Sequence, residues 1–229
     1  LTRKLDSSEG WSQRLLRAWD NAFLITSGAG QADSSASFYS SFSLTQQMFT
    51  PDARDEPVPP AGQRPYAGWL GIESSIQRLQ DGLVTALSFN VGITGPNSFA
   101  HEAQDWTHEN ISGESKYQGW DSQVPEEITL NVLYERRQLQ DWLVDLTRNW
   151  PLEWDAFSEW GFSLGNHRTD AFVGGVLRFG KNIPPNLVTP RIQLGSFVHP
   201  FRENGRESTD WSWHGLMKLS GMLVAHDIS

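Results

Sequence analysis

From Tyr66 the chain alternates with a period of two. Tyr66, Leu70, Ile72 and Ile76 fall on one face, and Trp69, Glu73, Ser75 and Gln77 on the other, the pattern of a strand whose two sides meet different surroundings. Gln80-Asp81-Gly82 is a tight-turn signal. The strand after it sets Leu87, Phe89, Val91 and Ile93 against Ala86, Ser88, Asn90, Gly92 and Thr94, which makes a hairpin. Further strands are predicted over 36–48, 128–134, 154–164, 171–179, 191–197 and 211–226, with a less regular one over 9–20 after a polar start that reads as a loop. Residues 135–147 fit either a strand or a short helix by pattern, and they are taken as a continuation of the hairpin. Pro57, Pro59, Pro60 and the pair Pro184-Pro185 mark loops, and 97–126 is the longest stretch without strand character.

About nine strands, nearly all joined to their sequence neighbours by short turns or single loops, predict an up-and-down meander. No repeat or linker divides 1–229, so a single domain is expected. One face of the meander carries Glu73, Gln77, Asn90 and Lys218, more polar groups than a dry sandwich core tolerates without partners. The expectation is therefore an all-β fold, an antiparallel up-and-down transmembrane β-barrel with lipid outside, polar groups inside and a short helix at its rim. No run approaches the roughly 20 apolar residues of a membrane-spanning helix, which a barrel does not need. Eleven tryptophans, Trp120 among them, read as interface anchors. A formal charge of −9 argues against nucleic acid as a partner, and the lack of cysteine removes thiolate and Cys-zinc chemistry while suiting an oxidising periplasm. Two other readings use the same pattern: a structural barrel or pore, and a soluble β domain binding carbohydrate through its tryptophans.

The candidate chemistry sits where the strand ending at Thr94 runs into Gly95-Pro96. Pro96-Asn97-Ser98 opens a helix, with Asn97 or Ser98 placed to cap its free N–H groups. Along it His101, Gln104, Asp105 and His108 share one face. His101, His167, His199, His214 and His226 read as surface or rim histidines. His108 has a supporting neighbour in Gln104, one turn earlier.

The ordered set Phe49-Thr-Pro-Asp52, Arg64-Pro-Tyr-Ala-Gly-Trp-Leu70, Gly92-x-x-Gly-Pro96 with Gln104 and His108, Gly119-Trp-Asp-x-Gln123, Leu164-Gly-Asn-x-x-Thr169 and Gly174-x-x-x-Arg178-x-Gly180 resembles the bacterial outer-membrane lipid A 3′-O-deacylase family. The resemblance covers about Gly10 to Phe179. It implies a monomeric, twelve-stranded barrel in the bacterial outer membrane that removes the 3′-linked acyloxyacyl chain of lipid A, the lipopolysaccharide anchor, with calcium as cofactor. Carried over by position, the family's histidine falls on His108, its glutamine on Gln104, a site glutamate on Glu114 and a hydroxyl residue on Ser12. His108 would activate a water, calcium held in part by Glu114 would polarise the acyl carbonyl, and Ser12 would position substrate or water. Arg14 stands where the family has glycine after that hydroxyl. The family's Asn-Asp calcium pair has no match before Trp11, and Asp20-Asn21 reverses it. Nine strands against twelve predict a barrel incomplete at both ends.

Overall fold

A computed structural model of the chain describes residues 2–5, 14, 18, 37–184, 187 and 211–228. Among them eight strands form one sheet in sequence order: β1 (Thr2–Leu5), β2 (Ser37–Phe49), β3 (Ala67–Gln80), β4 (Leu83–Thr94), β5 (Ile128–Leu139), β6 (Glu153–Gly165), β7 (Arg168–Lys181) and β8 (Trp213–Asp227). Each pair of neighbours is antiparallel, and the long continuous registers leave little freedom in which side chains face which side. This is the expected meander. Asp81 and Gly82, at φ 46° and 72°, make the tight β3–β4 turn. A register shift beside Thr169 and Asp170 marks the last turn of the β7–β8 ladder.

The two faces differ as the alternation predicts. Inward, Glu73, Gln77, Asn90, Glu135 and Glu159 are buried, while Phe42, Leu44, Ile72, Phe89, Val91, Leu130 and Val173 stand exposed on the outer face. The buried charges are compensated across strands. Lys218 of β8 reaches Glu159 of β6 at 2.5 Å, and Arg137 of β5 lies 3.5 Å from Glu159 and 3.3 Å from Glu135. Arg178 grips Asp155 through two bonds of 2.7 and 2.5 Å, the bidentate geometry that suits a guanidinium. At the end with the Asp81-Gly82 turn, Val84, Phe157, Val176 and Leu187 close the interior as an apolar cluster. An exterior that exposes apolar side chains, with Arg78 and Arg136 covered in the same phase, around a charged, paired interior inverts the arrangement of a soluble sandwich.

The polar start was expected as a loop, yet Thr2–Leu5 pairs with β2. Over 9–20 a strand was expected, but Arg14 and Ala18, the positions described there, are helical, and the rest of that stretch lies outside the described residues. Residues 135–147 divide, with β5 ending at Leu139 and helix α2 following over Asp141–Thr147. Asp141 in its first turn and Trp142 with Leu146 at i, i+4 favour that helix. His167 is not a surface residue: the β6–β7 turn buries it against Trp69, ring centroids 5.0 Å apart. The predicted strand 191–197 and His199 lie outside the described residues.

Candidate active site

The β4–β5 connection holds a 3₁₀ turn (Pro96–Ser98), helix α1 (Ala100–Thr107), a π turn (His108–Ser112) and a second 3₁₀ turn (Trp120–Ser122). Thr94 closes its base: the Thr94 hydroxyl donates to the Pro125 carbonyl at 2.8 Å and accepts from the Glu127 N–H at 3.0 Å. Gly95, at φ 73°, turns the chain in a conformation that side chains resist. The connection then folds over the outer face of the wall. Its first turn rests on Gly68 of β3, where a Cβ would meet the Ala100 Cβ at 2.5 Å, and Gln46 of β2 donates to the Ser98 carbonyl at 2.6 Å.

The expected N-cap is absent. Ser98 is fully buried, and its hydroxyl donates back to the Gly95 carbonyl at 2.6 Å, while Phe99 precedes α1 in the left-handed region at φ 55°. Close seating on the wall has taken the serine that a solvent-exposed helix would use as a cap. Such a φ at a large residue costs about 1–3 kcal/mol and persists where its surroundings over-determine it.

Beyond Thr107 the backbone widens by one residue per turn, and the Gly113 N–H bonds the His108 carbonyl at 2.9 Å. Single π turns concentrate at functional positions. Here the turn begins at His108, whose side chain is 8% exposed. Segment 113–124 folds back along α1 and encloses that ring. His108 Nδ1 lies 3.0 Å from the Ser115 carbonyl, which can only accept, so Nδ1 carries a proton and Nε2 is the basic nitrogen. Nε2 points toward Glu114, with Oε2 at 3.8 Å, beyond a direct hydrogen bond. The Tyr117 ring stands edge-on to the imidazole at 4.7 Å, and Arg54 lies 5.1 Å above that tyrosine.

The same fold-back explains the neighbouring residues. Lys116 bridges Asp105 and Glu109 at 3.1 and 2.6 Å, and those hydrogen bonds, Glu109's first, hold its ammonium above the usual lysine range. Trp120 was expected as an interface anchor, yet it is 1% exposed and donates its indole N–H to Gln104 Oε1 at 2.7 Å. A membrane anchor would present its ring outward; this one packs on Tyr66 and stacks on His101. Gly119 makes room for the Tyr66 ring, whose Cε2 would lie 2.2 Å from an added Cβ. Tyr66 is itself fully buried, its hydroxyl donates to the Arg54 carbonyl at 3.2 Å, and burial pushes its pKa up.

The structure therefore brings His108 and Glu114 together and puts Gln104 one turn away, engaged with Trp120. Ser12 lies outside the described residues. Sequence reasoning missed Ser115, Tyr117, Lys116 and the gripping role of Trp120; the last was available in the motif Gly119-Trp-Asp-x-Gln123. A pocket of about 510 Å³ opens beside Glu114, Ser115 and Tyr117 and is walled opposite by Asp52, Arg54 and Asp55. Calcium favours six to eight oxygen ligands. Among the described residues no three carboxylates or histidines converge as a metal site, so this donor set does not fit calcium by itself.

No curated protein sequence matches the chain. A solved structure, LpxR from Salmonella typhimurium, is similar at a TM-score of 0.63 and 16% identity, over 86% of this chain and 64% of the other. The chain thus spans less than two thirds of that protein, and the likeness concerns the fold. Among the described residues no helix is long and apolar enough to cross a membrane, which leaves crossing by strands open. The family model described as outer membrane protein LpxR matches residues 2–229, and the chain belongs to that outer-membrane barrel family, the lipid A 3′-O-deacylases its motifs resemble.

Proposed function

We propose that this chain hydrolyses the 3′-linked acyloxyacyl ester of lipid A in the outer membrane, with His108 as general base. The observation that carries the reading is the orientation of the buried imidazole. Its Nδ1–H is committed to the Ser115 carbonyl, and Nε2 faces a carboxylate across a gap too long for a direct bond. A water in reach of Nε2 gives up its proton there as its oxygen adds to the acyl carbonyl carbon. The tetrahedral intermediate then expels the sugar alkoxide, which takes the proton from Nε2 as it leaves. Glu114 offsets the positive charge that His108 carries between those two transfers. Tyr117 and the Ser115 carbonyl restrict the ring to one orientation. Gln104 positions the site through Trp120 instead of touching His108 in the described contacts.

The location supports a lipid substrate. The connection that carries His108 is seated on the outer side of the wall through its first turn, at Gly68 and Gln46, a side that a membrane-embedded ester can approach from the bilayer. The family resemblance adds calcium, for which Glu114 is the ligand the described residues offer, and Ser12, which lies outside the described residues, to position substrate or water. The test is mass spectrometry of lipid A from cells expressing the full-length protein or its His108→Ala variant, with chelator added to a parallel assay in detergent. Loss of one acyloxyacyl chain only with the unaltered protein is expected. Unchanged lipid A, or equal deacylation by both, returns the protein to the reading of a structural barrel.

A further inference from the structure

The rim opposite the site carries an apolar surface that the deacylation chemistry does not use. Helix α2 and the residues after it expose Trp142 (63%), Leu146 (63%) and Trp150 (53%). Trp142 and Leu146 are four apart and share one side of the helix, while Asp141, Asp145 and Arg148 fall on another, with Asp145 and Arg148 ion-paired at 2.7 Å. This segment is fixed to the wall. The Gln140 N–H bonds the Ala156 carbonyl at 2.8 Å, and the Thr147 hydroxyl reaches the carbonyls of Leu143 and Trp154 at 2.8 and 3.3 Å.

The surface is also continuous with the lipid-facing wall. Trp150 meets Trp154 edge-on at 6.2 Å, and Trp154 packs on Phe179 at 5.2 Å. Trp154 and Phe179 are a register pair of β6 and β7 on the outward side, opposite in phase to buried Phe157 and Arg178. Beside them an apolar groove of about 440 Å³ runs along the same wall between Ala156, Gly175, Leu177 and Leu219. Tryptophan is favoured at the headgroup level, where its ring meets hydrocarbon and its N–H meets water.

We infer that α2 is an interfacial anchor, lying in the plane of the bilayer surface with Trp142, Leu146 and Trp150 in the headgroup–acyl boundary and the Asp141–Asp145–Arg148 stripe toward water. A helix that merely projected into solvent would have no cause to present two tryptophans and a leucine there while staying tied to the wall at both ends. The anchor sets how deeply this rim sits, and it is independent of the proposed hydrolysis.

These 229 residues hold no cysteine, so a thiol introduced among them is the one they offer to a label. Leu146→Cys and Asp145→Cys variants of the full-length protein, labelled with bimane and reconstituted into phosphatidylcholine vesicles, would be quenched by acyl-brominated lipid or by aqueous iodide. The label at 146 is expected to lose most of its emission to bromolipid and little to iodide, with the reverse at 145. Free iodide access at 146, or protection from iodide without bromolipid quenching, as a covering protein would give, overturns the inference. A second arm needs no label: Trp142→Ser should remove part of the bromolipid-quenched tryptophan emission of the unaltered protein. Unchanged quenched emission overturns the inference equally.

Discussion

Replacing Gly68 by alanine tests whether the wall positions the chemistry. The new Cβ would lie 2.5 Å from the Ala100 Cβ and 2.1 Å from the Ser98 hydroxyl oxygen, against an ordinary contact of 3.4 Å or more. The hydroxyl could rotate only by giving up its bond to the Gly95 carbonyl, and Ala100 cannot rotate away, so the start of α1 must rise by about 1 Å. Overpacking of this kind costs about 1–3 kcal/mol, which the sheet can absorb because β3 keeps its ladders to β2 and β4. His108 stands two turns along the lifted helix, and a misplacement of about 1 Å lowers catalysis on the order of 100-fold. The assay is the initial rate of lipid A deacylation in detergent, run beside a heat-modifiability gel that reports barrel folding. A variant that folds and turns over at the unaltered rate would refute the idea that seating on Gly68 sets the position of His108.

Four other outcomes follow from the same geometry. His108→Asn should lower the deacylation rate by about 10²- to 10⁴-fold with the fold kept, as removal of a general base does. Gln104→Ala and Trp120→Phe should each lower the rate, and the double variant should fall no further than the worse single one; full additivity would show that Gln104 acts apart from Trp120. Burial lowers the His167 pKa to about 4 from 6.5, so the folded state resists a proton that the unfolded chain accepts. Stability present above pH 6.5 is therefore lost as pH falls toward 4, by roughly 3 kcal/mol in all, and His167→Gln should flatten the urea midpoint across that window. Lys218→Met leaves Glu159 buried with Arg137 still 3.5 Å away, and should cost about 1–3 kcal/mol, less than a wholly unpaired buried charge, read as a lower unfolding temperature of the detergent-solubilised protein.

The wall was legible because alternation is a backbone property. Leu87, Phe89, Val91 and Ile93 on one side and Ser88, Asn90 and Thr94 on the other needed no tertiary information; Phe89 and Val91 stand exposed and Ser88, Asn90 and Thr94 buried as that pattern puts them, while Leu87, in phase with the outer side, is covered by packing the pattern does not foretell. His108 and Glu114 could be singled out only through an ordered set of motifs, since nothing local separates one rim histidine from another; the structure shows them facing each other, and their chemical role is a proposal. Two kinds of feature stayed hidden. The π turn at His108 leaves no compositional mark, and it changes which side the ring presents. Ser115 acts through its backbone carbonyl, so its side-chain identity announces nothing. Trp120 shows a third difficulty, because a tryptophan suits a membrane interface and a buried hydrogen bond equally well until its partner is known. The misread start of the chain has the same source: Thr2–Leu5 becomes a strand by pairing with Ser41–Phe38, far away in sequence.

Several motif residues turn out to join the loop to the wall. Gly68 admits Ala100, Gly119 admits Tyr66, Tyr66 accepts the Val124 N–H at 2.9 Å through its carbonyl, and Thr94 ties both ends of the connection. These residues touch no reacting atom, yet each removes a freedom from the segment that encloses His108. The consequence concerns how the fold divides its tasks. The charged interior, with Glu159, Lys218 and Arg137, stabilises the wall, and the proposed chemistry sits on a loop folded on the outside of that wall, held at a few close contacts. Damage to the interior should then appear first as lost stability with activity per folded molecule retained, and damage to the contacts as lost activity with stability retained. Lys218→Met and Gly68→Ala are the paired case. If both variants lost stability and specific activity in proportion, loop and wall would be one cooperative unit, and the ordered motifs would mark folding instead of positioning.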